Sequence, residues 1–416
     1  MIVSYRFRNF YSYREEVEFS MKTPASKVKN RFEDNYVSSN SGYNINKTCV
    51  IVGENAGGKT NFVRSIGYLK RLLSSNDWIR AYIYTMNSNA LEGAKSIKAI
   101  EDERLRQLFE IEVLINDQIY LYHLEIDPIG IVNEKLDVKK NKESQYKSIL
   151  NYKRERIIAT PRNDGNGKEL SMVVNVSFEG EEKFNQAVID KMSKEASSGL
   201  FVNKLAILAI EEAYTFVNWI NNYLDAISPA INNSNEREIS EEEDKDIVKD
   251  PRFLEILRMI DYSISKIEIN DEDLYGKTII VRKKKNGKVF KREIQNDSSG
   301  VGEYFALAIQ IYKVVYKNKC IIADEVDRVL NPVLSDRIIS FINGKKHTGQ
   351  FIFTTHNVLH LDLKNYMKEQ IYFATKDIET LESELYSLAD FPEVRYEVTR
   401  IYDFYMKGIL GGVANE

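Results

Sequence analysis

Several things are scarce in this chain of 416 residues, and each scarcity narrows what it can be. It has two cysteines, Cys49 and Cys320, both in apolar runs that read as buried strands. Two thiols cannot make a disulfide framework, so they read as small buried hydrophobes in a reducing compartment. Seven prolines exclude a proline-rich linker. The strongest apolar run, Leu205 to Ile210, is closed by Glu211 and Glu212, far short of the roughly 20 residues a membrane span needs. Met1 to Phe7 alternates like a strand and has no apolar leader core. The expected location is therefore the cytoplasm, with no membrane partner. Positive charge is not in excess either: 58 Lys and Arg against 62 Asp and Glu leave −4. Any nucleic-acid contact must then come from a local patch.

What is present is an ordinary globular balance, 43% hydrophobic and 29% charged, enough for two to three domains of about 150 residues each. Ile2–Phe7 and Val17–Phe19 read as strands. The polar stretch Lys22 to Asn46 leads into an apolar strand, Thr48–Val52, a glycine-rich turn, and a helix with Phe62, Ile66, Leu69 and Leu73 on one face. Phe109–Val113 and Tyr120–Leu124 flank Asn116-Asp117 as a hairpin within a meander. A turn cluster, Asn163 to Gly167, separates further strand-like material. From Phe184 to Ser228 the period is helical, with Leu205, Leu208, Phe216, Trp219, Ile220 and Leu224 on one long apolar face. The acidic run Asn232 to Asp250 reads as a solvated loop or frayed helix. A second hairpin, Thr278–Val281 with Val289-Phe290, turns at Asn286-Gly287. Helix over Val301–Tyr316, strand over Cys320–Ala323, helix over Val333–Ile342 and strand over Phe351–Thr354 predict a βαβ unit in a parallel, doubly covered sheet.

Four motifs carry chemistry. Gly53-Glu54-Asn55-Ala56-Gly57-Gly58-Lys59-Thr60 is a full G-x-x-x-x-G-K-[ST] match between a buried strand and a helix, the context this motif requires. Its glycines let backbone N–H groups point at phosphate oxygens beside a helix N-terminus. The expected nucleotide-binding residues are Asn55, Ala56, Gly57, Gly58, Lys59, Thr60 and Asn61. Lys59 would charge-pair the β- and γ-phosphates, and the Thr60 hydroxyl is placed for Mg²⁺. Cys320-Ile321-Ile322-Ala323-Asp324-Glu325 puts two carboxylates at a strand's C-terminal end, Asp324 for Mg²⁺ and Glu325 to polarise the attacking water. Phe351 to His356 ends a further core strand in one of only four histidines, where a γ-phosphate sensor would sit. Asn296-Asp297-Ser298-Ser299-Gly300-Val301-Gly302 opens the helix before Asp324. Taken alone this turn reads as an N-cap. The same geometry makes an anion site, and only the order of the other motifs favours Ser298 and Gly300 as nucleotide contacts.

Phosphate loop, Ser-rich helix start, Asp324-Glu325, Asp327 and a strand-end histidine together resemble the order of ABC-class ATPases. Lys59 and Asp324 lie 265 positions apart. An insertion of that length resembles the structural-maintenance-of-chromosomes and recombination ATPases, and more closely those of abortive-infection and overcoming-lysogenisation-defect systems. Arg8-Asn9-Phe10-Tyr11-Ser12 resembles the Asn-Phe-x-Ser start of that family. Asp324 to Asp327 with Leu330-Asn331-Pro332 resembles its Walker B and D-loop, with Asn331 where a histidine is common. Thr354-Thr355-His356-Asn357 resembles its histidine switch, and Ile371-Tyr372-Phe373, Lys376-Asp377, Glu384 to Leu388, Asp390-Phe391 and Arg395 its last segment. Two departures stand out. The Ser298–Gly302 turn is a loose version of Leu-Ser-Gly-Gly-Gln, and only Gln107 and Gln118 qualify, by order, for a Q-loop.

The resemblance implies an α/β P-loop ATPase head of the ABC class, related to structural-maintenance-of-chromosomes heads. Its parts would be 1–75 (Walker A) and 276–416 (signature, Walker B, histidine switch), with a β-rich insertion over 76–180 and a helical one over 181–275. It implies slow ATP hydrolysis with Mg²⁺ through Glu325, His356 and Lys59, the metal being held by Thr60 and Asp324. It implies an ATP-sandwiched homodimer or higher oligomer, the Ser298–Gly300 turn of one subunit closing over the other's nucleotide. The implied role is the sensor ATPase of a prokaryotic anti-phage or toxin–antitoxin system controlling a separately encoded nuclease or toxin. The alternatives are a genome-maintenance ATPase that clamps DNA and an ATP-dependent scaffold with negligible turnover. Only 60 residues follow His356, too few for the C-terminal nuclease domain of the lysogenisation-type enzymes, and Asp271-Glu272-Asp273 reads as a solvated turn. The chain is thus expected not to cut nucleic acid by itself. Arg282-Lys283-Lys284-Lys285-Asn286-Gly287-Lys288, with Lys291 and Arg292, is either a solubilising hairpin that protects an edge strand or a nucleic-acid contact.

Overall fold

The computed structural model describes residues 1–25, 27–75, 106–127, 130–161, 168–194, 199–227, 234–326, 331–357, 363–396 and 401–410. Asp327, Leu330 and the Asn163–Gly167 turn lie outside the described residues. The strands in chain order are β1 (Ile2–Arg8), β2 (Val17–Ser20), β3 (Tyr36–Ser38), β4 (Asn44–Asn46), β5 (Thr48–Val52), β6 (Gln107–Ile115), β7 (Gln118–Asp127), β8 (Gly130–Lys139), β9 (Lys147–Pro161), β10 (Lys168–Phe178), β11 (Leu224–Ile227), β12 (Ile264–Glu268), β13 (Ile279–Lys283), β14 (Val289–Glu293), β15 (Cys320–Ala323), β16 (Gln350–Thr355), β17 (Ile371–Lys376) and β18 (Ser383–Ser387).

Strands β5, β15 and β16 are buried at every position, as strands covered on both faces must be. They form the centre of a sheet ordered β11-β15-β16-β5-β17-β18. All its pairings are parallel except β17 with β18. Successive side chains point to opposite faces, so each strand feeds two cores. Cys49 and Ile51 enter the core of the Lys59–Ser74 helix; Val50 and Val52 enter that of the Ser299–Lys317 helix. Cys49 and Cys320 are both buried free thiols.

The second sheet, ordered β10-β9-β8-β7-β6-β1-β2, is antiparallel throughout. Its β6–β7 turn is the expected Asn116-Asp117 pair, with φ of 49° and 61°, the left-handed geometry a two-residue hairpin needs. Phe62 of the Lys59–Ser74 helix packs its ring on Tyr5, Phe7 and Phe19 at 6.3, 6.2 and 5.1 Å. That helix is therefore clasped between the two sheets.

Elements run across the expected domain divisions. β1 and β2 share a sheet with β6–β10, so the β-rich segment is continuous with the N-terminal strands. β11, from within the 181–275 segment, joins the core sheet beside β15. β12 pairs with β13 across the 275/276 division. Strands take partners through edge hydrogen bonds, and a local hydrophobic pattern does not say which edge.

The helical stretch also differs from one long face. It comprises Gln186–Lys194, Phe201–Ile207 and Glu211–Tyr223. Gly199 at φ 122° and Ala209 at φ 58° interrupt it, Leu208 is exposed, and Leu224 begins β11. The acidic run is the Ser234–Lys249 helix. Its Asp244 is buried, 2.7 Å from Lys313 Nζ, and its Oδ2 accepts from the Tyr275 hydroxyl at 2.6 Å. That face of the helix is held against the core, which corrects the solvated reading. Among the described residues no helix is long and apolar enough to cross a membrane.

Candidate nucleotide site

β5 ends at Val52, and Gly53 to Gly58 turn the chain into the Lys59–Ser74 helix. The turn is pressed against β17 and β18. A Cβ on Gly53 would lie 2.0 Å from the Ala374 carbonyl oxygen, and one on Gly57 2.6 Å from the same atom. Gly58 has φ 115°, and a Cβ there would meet Ser383 Oγ at 2.6 Å and the Tyr13 hydroxyl at 2.8 Å. No other residue fits these positions without displacing backbone or buried side chains. Behind the turn, Ser12 Oγ accepts from Asn61 Nδ2 at 2.8 Å and from Ser383 Oγ at 2.7 Å, while its carbonyl accepts from Ser383 N at 2.7 Å. The Asn61 side chain is thus a brace for the turn.

Lys59 is buried. Its Nζ donates to Gly53 O and Glu54 O, each at 2.7 Å, and lies 3.1 Å from His356 Nδ1. At the end of β15, buried Asp324 accepts at Oδ1 from Thr354 Oγ1 at 2.6 Å. The same hydroxyl accepts from Glu325 N at 2.8 Å. Thr354 of β16 therefore fixes both carboxylate residues at once. Glu325 has φ 51°, a conformation that costs a non-glycine residue about 1–2 kcal/mol. It brings Glu325 Oε1 to 4.0 Å from His356 Nε2. One imidazole spans lysine and carboxylate.

These groups stand at the C-terminal ends of three adjacent parallel strands, where open α/β sheets form ligand crevices. The donor set fits a nucleotide with a hard divalent cation: a glycine-walled turn at a helix N-terminus, a buried ammonium, the Thr60 hydroxyl and the Asp324 carboxylate.

Over residues 49–362 the chain matches the family model described as "AAA domain, putative AbiEii toxin, Type IV TA system". The chain belongs to this family. No curated protein gives a significant match. Similar solved structures include a "SmcHead bound to the C-winged helix domain of ScpA" (16% identity, TM-score 0.41, covering 93% of this chain and 97% of that one). Another is the "SMC head domain from Thermotoga maritima" (11%, 0.39, 93% and 98%). A third is a Smc head with an extended coiled coil, bound to the C-terminal domain of ScpA and derived from Pyrococcus furiosus (15%, 0.40, 93% and 96%). The expected α/β P-loop class is the one observed.

In this AAA-domain protein the remaining expected site residues stand elsewhere. Ser298 precedes the Ser299–Lys317 helix without a side-chain capping bond; its N–H donates to Asp297 Oδ1 at 2.8 Å. Ser298 and Gly300 line an open depression of about 540 Å³ with Ile260, Phe290 and Arg292, and no phosphate-loop residue borders it. Gln107 lies buried on β6, its amide donating to Asn9 O at 2.8 Å, and Gln118 begins β7. Asp271-Glu272-Asp273 is a turn organised by the Asn270 side chain and Asp273 Oδ1. Among the described residues no group of three or more His, Cys, Asp or Glu could hold a metal. Lys283, Lys284, Lys285 and Lys288 are exposed on the β13–β14 hairpin. Arg282 is not available with them, because Asp261 and Asp297 engage it.

Motif reading missed Thr354, Tyr13, Ala374 and Ser383 as parts of the site. Ser12 and Thr354 did stand inside the quoted family segments, so a signal existed for those two. Ala374 contributes only a carbonyl and leaves no side-chain signature.

Proposed function

We propose that this chain binds ATP with Mg²⁺ at Asn55–Asn61 and hydrolyses it slowly, using the nucleotide as a dimerisation switch. The observation that carries this reading is His356 between Lys59 and Glu325, with Thr354 tying Asp324 to the Glu325 backbone. Backbone N–H groups of the turn and Lys59 would orient the phosphates. Thr60 and Asp324 would hold Mg²⁺, which neutralises charge developing on the phosphoryl oxygens. Glu325 would take the proton of the attacking water. His356, touching lysine on one nitrogen and facing glutamate with the other, would sense the γ-phosphate.

The depression beside Ser298 and Gly300 is open to the surface, and its room supports a site completed by a second copy's nucleotide. ATP would then favour the closed pair because only that state offers both halves. The family description supports a toxin–antitoxin or defence setting, in which the switch controls a separately encoded nuclease or toxin. Mg-ATP titration and phosphate release of Lys59→Ala against wild type test the core of the proposal. Unchanged affinity and turnover would remove it.

A DNA-clamping role is the second reading, favoured by the exposed Lys283, Lys284, Lys285 and Lys288 beside exposed Val289 and Phe290. Binding of plain duplex DNA should then weaken with salt, at a slope of about −0.9 per phosphate contacted. Salt-independent or absent binding would reject it.

A further inference from the structure

Arg282 belongs by composition to the basic hairpin, yet it turns back into the protein. From β13 its Nε donates to Asp261 Oδ2 at 2.7 Å and its Nη1 to Asp297 Oδ2 at 2.6 Å. Its side chain is 15% exposed and that of Asp297 only 6%. Asp261 is itself fixed: Ser263 donates to Oδ1 through its N–H at 2.9 Å and its hydroxyl at 2.6 Å. Asp297 uses its second oxygen to accept the Ser298 N–H. One guanidinium therefore joins three pieces of chain: the turn before β12, the hairpin strand β13, and the start of the Ser299–Lys317 helix. Burial by itself would lower the Arg282 pKa, but the bonds to the two carboxylates raise it above its ordinary value. Burial alone would raise Asp261, and the Ser263 and Arg282 bonds lower it.

A planar guanidinium fork is directional in a way an ammonium is not. A partly buried Asp–Arg–Asp triad is weak evidence for stability, because desolvation offsets the Coulomb gain. Such a triad is better suited to holding geometry than to strengthening the fold. Asp261, Arg282 and Asp297 also line the depression that Ser298 and Gly300 border.

We propose that Arg282 is a positioning residue for the Ser298–Gly300 turn. Through Asp297 it sets the angle at which that turn meets the second copy's nucleotide, and it makes the β13–β14 hairpin and the turn move as one piece. This rests on the two-copy site proposed above.

The test uses Arg282→Gln in the full chain, read by nucleotide affinity, ATP turnover, ATP-driven dimerisation in the ultracentrifuge, and melting temperature. ATP affinity should stay within about twofold while turnover and dimerisation each fall by about tenfold or more, a split that lost stability alone would not produce. Adding Asp297→Asn should cause little further loss, since both changes cut the same link. Wild-type turnover and dimerisation in folded Arg282→Gln would overturn the proposal, as would additive losses in the double variant. If Arg282→Gln does not fold, Asp261→Asn loosens only one end of the fork; turnover should drop by about two- to fivefold at unchanged ATP affinity. Wild-type turnover there would also overturn it. Ser298→Arg, measured alongside, separates the two claims. If it keeps wild-type turnover, the two-copy site fails; if it is inactive while Arg282→Gln is fully active, only the role of Arg282 fails.

Discussion

Gly53 to Gly58 lies wedged against Ala374, Ser383 and Tyr13, whereas Gly300 has nothing within 4 Å of where a Cβ would stand. The phosphate turn is braced from β17, β18 and the Ser12 loop, and its lysine already meets two carbonyls and a histidine. The Ser298 turn is tied at its base through Asp297 and into the helix that follows, where its carbonyl accepts from Val301 N and Gly302 N. Under the two-copy proposal, the difference teaches which half must hold its shape before a partner arrives. A turn that wraps phosphate needs its N–H groups aimed in advance, since reorganisation would be subtracted from binding. A turn that meets its ligand last can stand open, provided its base is fixed.

The sharpest test of the braced half is Glu325→Gln. Turnover should fall by about 10²–10⁴ while ATP still binds, and the closed dimer should accumulate on light scattering. Next in size is the pairing of halves. Lys59→Ala should weaken ATP binding by about 10–150-fold, and Ser298→Arg should bind ATP normally yet neither hydrolyse it nor dimerise. Mixing the two inactive variants should restore part of the activity, because a mixed pair has one doubly damaged site and one intact site. No recovery would place both defects in one chain's site.

The two glycines sharpen the contrast further. Gly53→Ala should cost about 1–3 kcal/mol and weaken nucleotide binding, since the added methyl meets a backbone oxygen. Gly300→Ala should leave the melting temperature unchanged and reduce turnover alone; equal melting losses in both would erase the distinction. Smallest is Thr354→Val, which leaves the Glu325 N–H and Asp324 without the shared hydroxyl. It should cost about 1–2 kcal/mol in denaturant unfolding, with turnover reduced less than in Glu325→Gln.

Candidate groups carried by neighbouring residues are legible in the sequence, and the structure brings them together. Gly53 to Thr60, Asp324-Glu325 and Thr354 to His356 each lie in one short run, and the helix and strand periods around them are strong. Pairings between distant segments were not legible. Nothing near Leu224 says that it begins a strand beside Cys320, because one residue of apolar period serves a helix or a buried strand equally. Asp244 sits in a run whose composition is that of a solvated surface, and only Lys313 and Tyr275 reveal that it is buried. Arg282 was hidden in the same way among lysines, its two acidic partners lying 21 and 15 positions away.

The contact of Gly53 and Gly57 with Ala374 also has a consequence in time. More than 300 residues separate them, so at about 5–20 residues per second the turn emerges from the ribosome roughly 15–65 s before the strand that seats it. Until β16 and then β17 are made, β5 lacks its neighbours on both edges, and an apolar strand with open edges is a template for aggregation. Contacts this distant in sequence also slow folding once synthesis ends. Nascent chains released before β17 and β18 should therefore acquire no affinity for nucleotide, so the phosphate turn becomes competent only after the strands that seat it have been made.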